Sequence, residues 1–225
     1  MFKYETHLHT SPVSKCAVAS VEESLKFYKD LGYDGVFITN HFLDGNIDFD
    51  INRPYEEGIE FYFSDYEKGV ELSEKIGIKV FCGVELTYLG TDFLVYGLDK
   101  AWFLAHPEIM GMKRSEELAL MMECGALVIQ AHPYREAFYI DHIRLFPRQV
   151  HGVEVINASQ TDEVNAMARH YAENYGLIPF AGSDNHSASK RTRLAGICTE
   201  TPVLNEQDFI EKVKSRQAEI FDCML

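Results

Sequence analysis

Imidazoles and carboxylates recur in this chain at the ends of apolar runs. Thr6-His7-Leu8-His9, Thr39-Asn40-His41, Ala131-His132-Pro133 and Gly182-Ser183-Asp184-Asn185-His186 each follow or close such a run, and Glu85 ends the run from Ile78. Together they supply five imidazoles and two carboxylates. That mixture of borderline nitrogen and hard oxygen donors suits a site holding more than one divalent metal ion.

His7 and His9 flank a single residue, so in a strand both rings project from one face and can address one ion. Asp184 and His186 repeat the spacing behind Gly182, which permits close approach. A lone pair of this kind also describes barrel-lining or solvent-facing histidines, and Glu85 alone also reads as a buried Glu paired with a base. Repetition favours the metal, because a core role for every ring would leave many buried polar atoms to satisfy.

The elements that must position these groups follow a βα rhythm: an amphipathic stretch, a glycine, then an apolar run ending in a polar residue. Helices are predicted over 21–31, 65–76, 115–124 and 161–175, stopping at Gly32, Gly77, Gly125 and Gly176. Strands are predicted over 2–9, 35–41, 78–87, 93–96, 126–131, 153–157, 177–184 and 194–198. Such alternation implies a parallel sheet with helices outside, and active-site groups gather at the carboxyl ends of its strands. A barrel brings five such ends to one rim, whereas an open sheet spreads them. Residues 42–63 read as a long polar loop, either a lid or substrate-selecting loop or a plain surface insertion, and 99–112 as a second irregular connection.

Composition narrows the function classes. A chain of 225 residues fits one domain with a sizeable core. A net charge of -14 argues against an extended nucleic-acid surface while leaving small anionic substrates open. Five scattered cysteines without CxxC spacing point to a reducing, cytoplasmic compartment. The absence of a signal-like start or a long apolar stretch argues against secretion and membrane insertion.

The order of motifs (HxH, strand-end His, Glu after a strand, His-Pro, Ser-Asp-x-His) resembles the PHP (polymerase and histidinol phosphatase) superfamily, and the match runs from His7 to His186. The resemblance implies a metal-dependent phosphoesterase on a distorted (β/α)7 TIM-like barrel, with residues 1–225 as a single domain. It implies ligands at His7, His9, His41, Glu85, His132, Asp184 and His186 around two or three Zn, Mn or Fe ions, with Glu85 as the bridge. Two places depart from the family pattern. Where many members carry an Asp or His after HxH, this chain offers only Lys15 or Cys16; where many carry a His on the strand after the Glu, it has Asp92 and Asp99. A third ion depends on which of Cys16, Asp92 or Asp99 ligates it.

Glu85 and His186 are the catalytic candidates. Arg135, then Arg191 and Arg193, are candidates to bind phosphate, since guanidinium suits bidentate contact with phosphate oxygens. Asn157 resembles a strand-end Asn of the family that supports the ligands. His106, His142, His151 and His170 match no motif and read as structural or solvent-facing. The Glu22/Glu23, Glu56/Glu57 and Glu116/Glu117 pairs read as solvated faces, and Cys124 and Cys198 as core thiols. The expected reaction is hydrolysis of a small phosphomonoester by a hydroxide held on the metal ions. Histidinol phosphate is one possible substrate; nucleotides or cyclic phosphodiesters come next. An exonuclease is disfavoured for want of a basic track. The alternatives are an amidohydrolase-type C–N hydrolase, although no lysine sits at a strand end, and a catalytically silent metal-binding regulator.

Overall fold

The computed structural model describes residues 1–225, with the apolar runs side by side in one nine-stranded sheet ordered β7-β6-β5-β4-β3-β2-β1-β8-β9. Strands β1 (Phe2–Leu8), β2 (Gly35–Ile38), β3 (Lys79–Tyr88), β5 (Leu127–Ala131), β6 (Gly152–Asn157) and β7 (Ile178–Gly182) point the same way. Strand β4 (Thr91–Tyr96) is reversed between β3 and β5. It follows β3 through a tight turn at Leu89 and Gly90, both with positive φ. Strands β8 (Arg193–Thr199) and β9 (Ala218–Met224) extend the sheet antiparallel beyond β1. The barrel is therefore seven-stranded, distorted by the reversed β4 and enlarged by two further strands.

Closure falls on β1, which divides its length between two neighbours. Its first half pairs with β8, Phe2 opposite Thr199 and Tyr4 opposite Ile197. Its second half meets β7: Thr6 Oγ1 donates to the Ala181 carbonyl, and His9 N donates to the Asn185 carbonyl at 2.9 Å. Gly182 makes that approach possible, because a Cβ there would lie 2.5 Å from His7 Cβ and 2.7 Å from Glu154 Oε1. The pairing of β1 with β2 shifts register between Glu5 and Leu8. Such irregularities re-aim side chains, and here Leu8 packs in the cluster that contains Leu25 and Tyr28 while His7 and His9 meet Glu85. The fully buried Glu5 carboxylate holds the irregular segment. Its Oε1 accepts from Thr6 N, His7 N and Ser183 N, and its Oε2 from the Tyr28 hydroxyl.

Six helices surround the sheet: α1 (Val21–Asp30), α2 (Tyr55–Ile76), α3 (Lys100–Ala105), α4 (Arg114–Glu123), α5 (Asp162–Tyr175) and α6 (Glu206–Lys214). Helix α1 starts with a full capping box between Ser20 and Glu23. Helix α2 begins at Tyr55, so the loop expected over 42–63 ends nine residues early; Pro54 caps the helix and Glu56 and Glu57 occupy its first turn. The connection expected to be irregular over 99–112 holds α3 and a 3-10 turn, Pro107–Gly111. Helix α6 and strand β9 were absent from the sequence expectation.

Two apolar clusters fix this frame. One packs Tyr62, Phe63, Phe103, Leu118 and Met121 of the helices against Val84, Leu86, Phe93 and Val128 of the strands. The other joins Tyr4, Phe37, Phe81, Tyr96 and Phe180 from five strands with Phe209 of α6, and Phe37 stacks on Phe81 at 4.8 Å. Burial of each such aromatic stabilises the fold by about 2 to 3 kcal/mol relative to leaving it in water. No helix is long and apolar enough to cross a membrane.

Candidate metal centre

The carboxyl ends of the strands deliver the polar groups to one place. His7 and His9 come from the end of β1, His41 from just beyond β2, Glu85 from β3, His132 from beyond β5, and Asp184 and His186 from beyond β7. His132 and Asp184 both have positive φ, a backbone state that non-glycine residues adopt at a cost and that recurs at functional sites.

Glu85 stands between two pairs of imidazoles. Its Oε1 lies 3.1 Å from His7 Nε2 and 3.5 Å from His132 Nε2; its Oε2 lies 2.7 Å from His41 Nδ1 and 3.3 Å from His9 Nε2. Asp184 Oδ1 is 3.6 Å from both His7 Nε2 and His9 Nε2, and 3.4 Å from His186 Nδ1. The donor atoms fall into three compact groups: His9, His41 and His186; His7, Glu85 and His132; and His7, His9 and Asp184. His41 Nδ1, Glu85 Oε2 and His132 Nε2 are buried without a hydrogen-bond partner. Orphaned, convergent nitrogen and oxygen atoms of this kind fit divalent metal binding.

A second set of buried groups grips the rings from behind. Glu154, in β6, sets Oε1 2.8 Å from His7 Nδ1 while its Oε2 accepts from His132 N and from Asn157 Nδ2. With Nδ1–H directed at a carboxylate, His7 presents Nε2 as a free donor atom. Ser14 Oγ lies 3.0 Å from His9 Nδ1, donates to Asn40 Oδ1 and accepts from His41 N. Ser159 links the Asn157 side chain to Asp184 Oδ2.

Proton affinities report the same field. Burial opposes a charge on His7, yet the Glu154, Asp184 and Glu85 carboxylates outweigh it and raise the ring well above its ordinary value. Burial pushes Glu85 up, but His41, His7 and His9 hold it well below the carboxylate range; Asp184 is lowered in the same way. Burial lowers His9, reinforced by His186 and His41. Burial pushes the Cys16 thiol up, but hydrogen bonds to His186 and His41 bring it down to about 6.

A pocket of about 510 Å³ opens onto this cluster, walled by Cys16, Asp44, Asp92, Arg135 and Tyr139. Asp92 is buried, with Oδ2 3.7 Å from His132 Nε2 and 3.6 Å from Arg135 Nη1. Asp99 is not a ligand: it caps α3 by accepting from Trp102 N and lines a different cavity, of about 640 Å³, that holds none of the clustered imidazoles. Arg191 donates to the Asp184 carbonyl and so braces a candidate ligand; it does not line the pocket. Arg193 pairs with Asp162 and Asp222, away from the pocket.

The remaining residues divide. His170 is solvent-exposed, His142 pairs with Asp141, His106 stacks on Trp102, and His151 Nδ1 accepts from Val128 N. Glu117 departs from its expected solvated face: it is buried and paired with Arg114, which also holds Asp44. Cys124 is exposed, not a core thiol, while Cys198 is buried. The segment after His41 is stapled down, with Lys15 N donating to the Asn46 carbonyl and Asp48 N to the Val13 carbonyl, and its Asp44, Gly45 and Asn46 form part of the pocket wall.

No protein-family model and no curated protein matches the sequence. Solved structures do match the fold. A two-domain protein from Bacteroides vulgatus, described as containing a predicted PHP-like metal-dependent phosphoesterase, superposes with a TM-score of 0.69 at 15% identity, over 98% of this chain but 64% of its own. A protein from Bifidobacterium adolescentis, provisionally described as a metal-dependent phosphoesterase, gives 0.56 at 13% identity, with 97% of each chain covered. An amidohydrolase from Chromobacterium violaceum gives 0.58 at 14% identity, again with 97% of each covered. The chain therefore has the barrel fold shared by PHP-like proteins and an amidohydrolase.

Proposed function

We propose that this chain is a metal-dependent phosphoesterase that hydrolyses a small phosphate ester, most simply a phosphomonoester. The observation that carries the reading is the position of Glu85, whose two oxygens each face a different pair of imidazoles, as a carboxylate bridging two cations requires. His7, His9, His41, Glu85, His132, Asp184 and His186 would hold two or three Zn, Mn or Fe ions. Bound there, divalent ions supply an acidified water and positive charge for phosphoryl oxygens.

The chain's own residues supply the rest. Arg135, set in the pocket wall beside Asp92, would take phosphate oxygens through its guanidinium fork. Tyr139 walls the same side, with Arg135 stacked over its ring at 5.8 Å. His186, the most open of the seven, faces the arriving ester and its leaving group. Arg191 keeps the Asp184 backbone in place. A pocket of this volume suits a small molecule, and Asp44, Asp92 and Asp184 along it do not suit a polyanionic strand. Five free thiols fit a reducing, cytoplasmic setting.

The test is hydrolysis of a broad phosphate-ester panel by protein reconstituted with Mn or Zn. Release of phosphate from small monoesters, lost in Glu85→Gln at unchanged circular dichroism, is the expected result. Hydrolysis of amides or lactones with none of any phosphate ester would overturn it in favour of the amidohydrolase reading.

A further inference from the structure

Cys16 lies in the loop between β1 and α1, and the backbone on both sides of it is fastened to the candidate centre. On one side Ser14 Oγ accepts from His41 N and lies 3.0 Å from His9 Nδ1, and Lys15 N donates to the Asn46 carbonyl at 2.9 Å. On the other, Val18 N and Ala19 N donate to the His186 carbonyl at 2.8 and 3.3 Å. A loop held at His41 on one flank and at His186 on the other has little freedom to carry Cys16 elsewhere. The thiol shares the pocket wall with both rings. In the same cluster the buried His41 Nδ1 and Glu85 Oε2, 2.7 Å apart, have no other hydrogen-bond partner.

We propose that Cys16 is a thiolate ligand, completing with His41 and His186 one metal position that carries sulfur, while Asp92 joins His132 and Glu85 at an all-nitrogen-and-oxygen position. The inference rests on the phosphoesterase reading for the existence of the centre and goes beyond it in dividing that centre by donor type. Sulfur is soft, so the Cys16 position selects Zn or Co over Mn or Mg, while the Asp92 position accepts the harder ions. Ligation takes the sulfur as its thiolate, any proton still on it passing to solvent. The partly open placement of Cys16 lets an ion enter from the pocket.

The experiment loads the full chain with Co²⁺ and reads the near-ultraviolet thiolate-to-cobalt charge-transfer band, bound cobalt per chain and affinity by chelator competition. Wild type should show the band. Cys16→Ser, with the other four cysteines intact, should lose the band and one ion's worth of tight binding, by more than the about 10–100-fold typical of removing an outer hydrogen-bond partner. Cys16→Asp should restore the ion without the band. Wild type binding two or more cobalt ions with no thiolate band, or Cys16→Ser keeping the band, would overturn this inference and leave the phosphoesterase reading standing. Fewer than two ions bound to wild type would overturn both.

Discussion

Glu154 shows how far a single residue acts from behind the centre. It places no oxygen among the three compact donor groups, yet it fixes the His7 ring and the His132 backbone together. In Glu154→Gln an amide nitrogen must replace one carboxylate oxygen, so a donor would face either the His7 Nδ1–H or the two N–H groups of His132 and Asn157. Metal affinity should fall about 10–100-fold with the fold intact, measured by chelator competition; unchanged affinity would remove Glu154 from this role. The convergence of the seven candidate donors was legible in the sequence because each closes an apolar run, where strand ends meet. Glu154 was not, because its partner His7 lies 147 positions away and a Glu between Val153 and Val155 reads the same whether it meets a base or an imidazole. Cys16, Asp92 and Asp99 were all candidates for a further ligand, and only folding puts the first two in the pocket wall and the third at the N-cap of α3.

Among the elements, the junction of β1 and β7 sets the geometry, and it depends on a glycine. Gly182→Ala would drive a methyl into His7 Cβ and Glu154 Oε1, and overpacking of this kind costs about 1–3 kcal/mol. Denaturant unfolding should show that loss together with weaker metal binding; a stable variant with normal binding would mean that β7 can move aside freely. A second element-scale prediction concerns α4. Arg114 lies 2.6 Å from both Asp44 Oδ2 and Glu117 Oε2, one cation between a half-buried acid and a buried one. Burial outweighs Arg114 and pushes Glu117 from the ordinary 4.5 to about 7. A raised carboxyl value means the fold favours the protonated acid, so its contribution is full below pH 4.5 and is lost as pH rises to about 7. Glu117→Gln should therefore gain stability relative to wild type across that interval, by at most about 3 kcal/mol. A pH-independent difference would contradict it. Helix positions were legible where a glycine stops them, as at Gly77 and Gly176, both left-handed caps. The early start of α2 was obscured by a polar first turn after Pro54, which loops and helix N-termini share.

At the scale of the whole molecule, closure of the barrel turns scattered strand ends into one centre. The sheet carries the polar ends to one rim, the aromatic cluster around Phe37 and Phe209 fills the barrel between its strands and α6, and the pocket opens where the donors converge. The reversed β4 and the added β8 and β9 were only partly legible, since apolar alternation gives a strand's existence and not its direction. A net charge of -14 would burden a compact chain, and cations held at Glu85, Asp92 and Asp184 would offset part of it, so the reconstituted protein should also unfold at a higher temperature than the metal-free one. The most direct test is elemental analysis of purified protein after reconstitution with Zn or Mn and removal of excess ion. Two or three divalent ions per chain, falling below two in Glu85→Gln, is the predicted result; fewer than two in wild type would contradict a multinuclear centre.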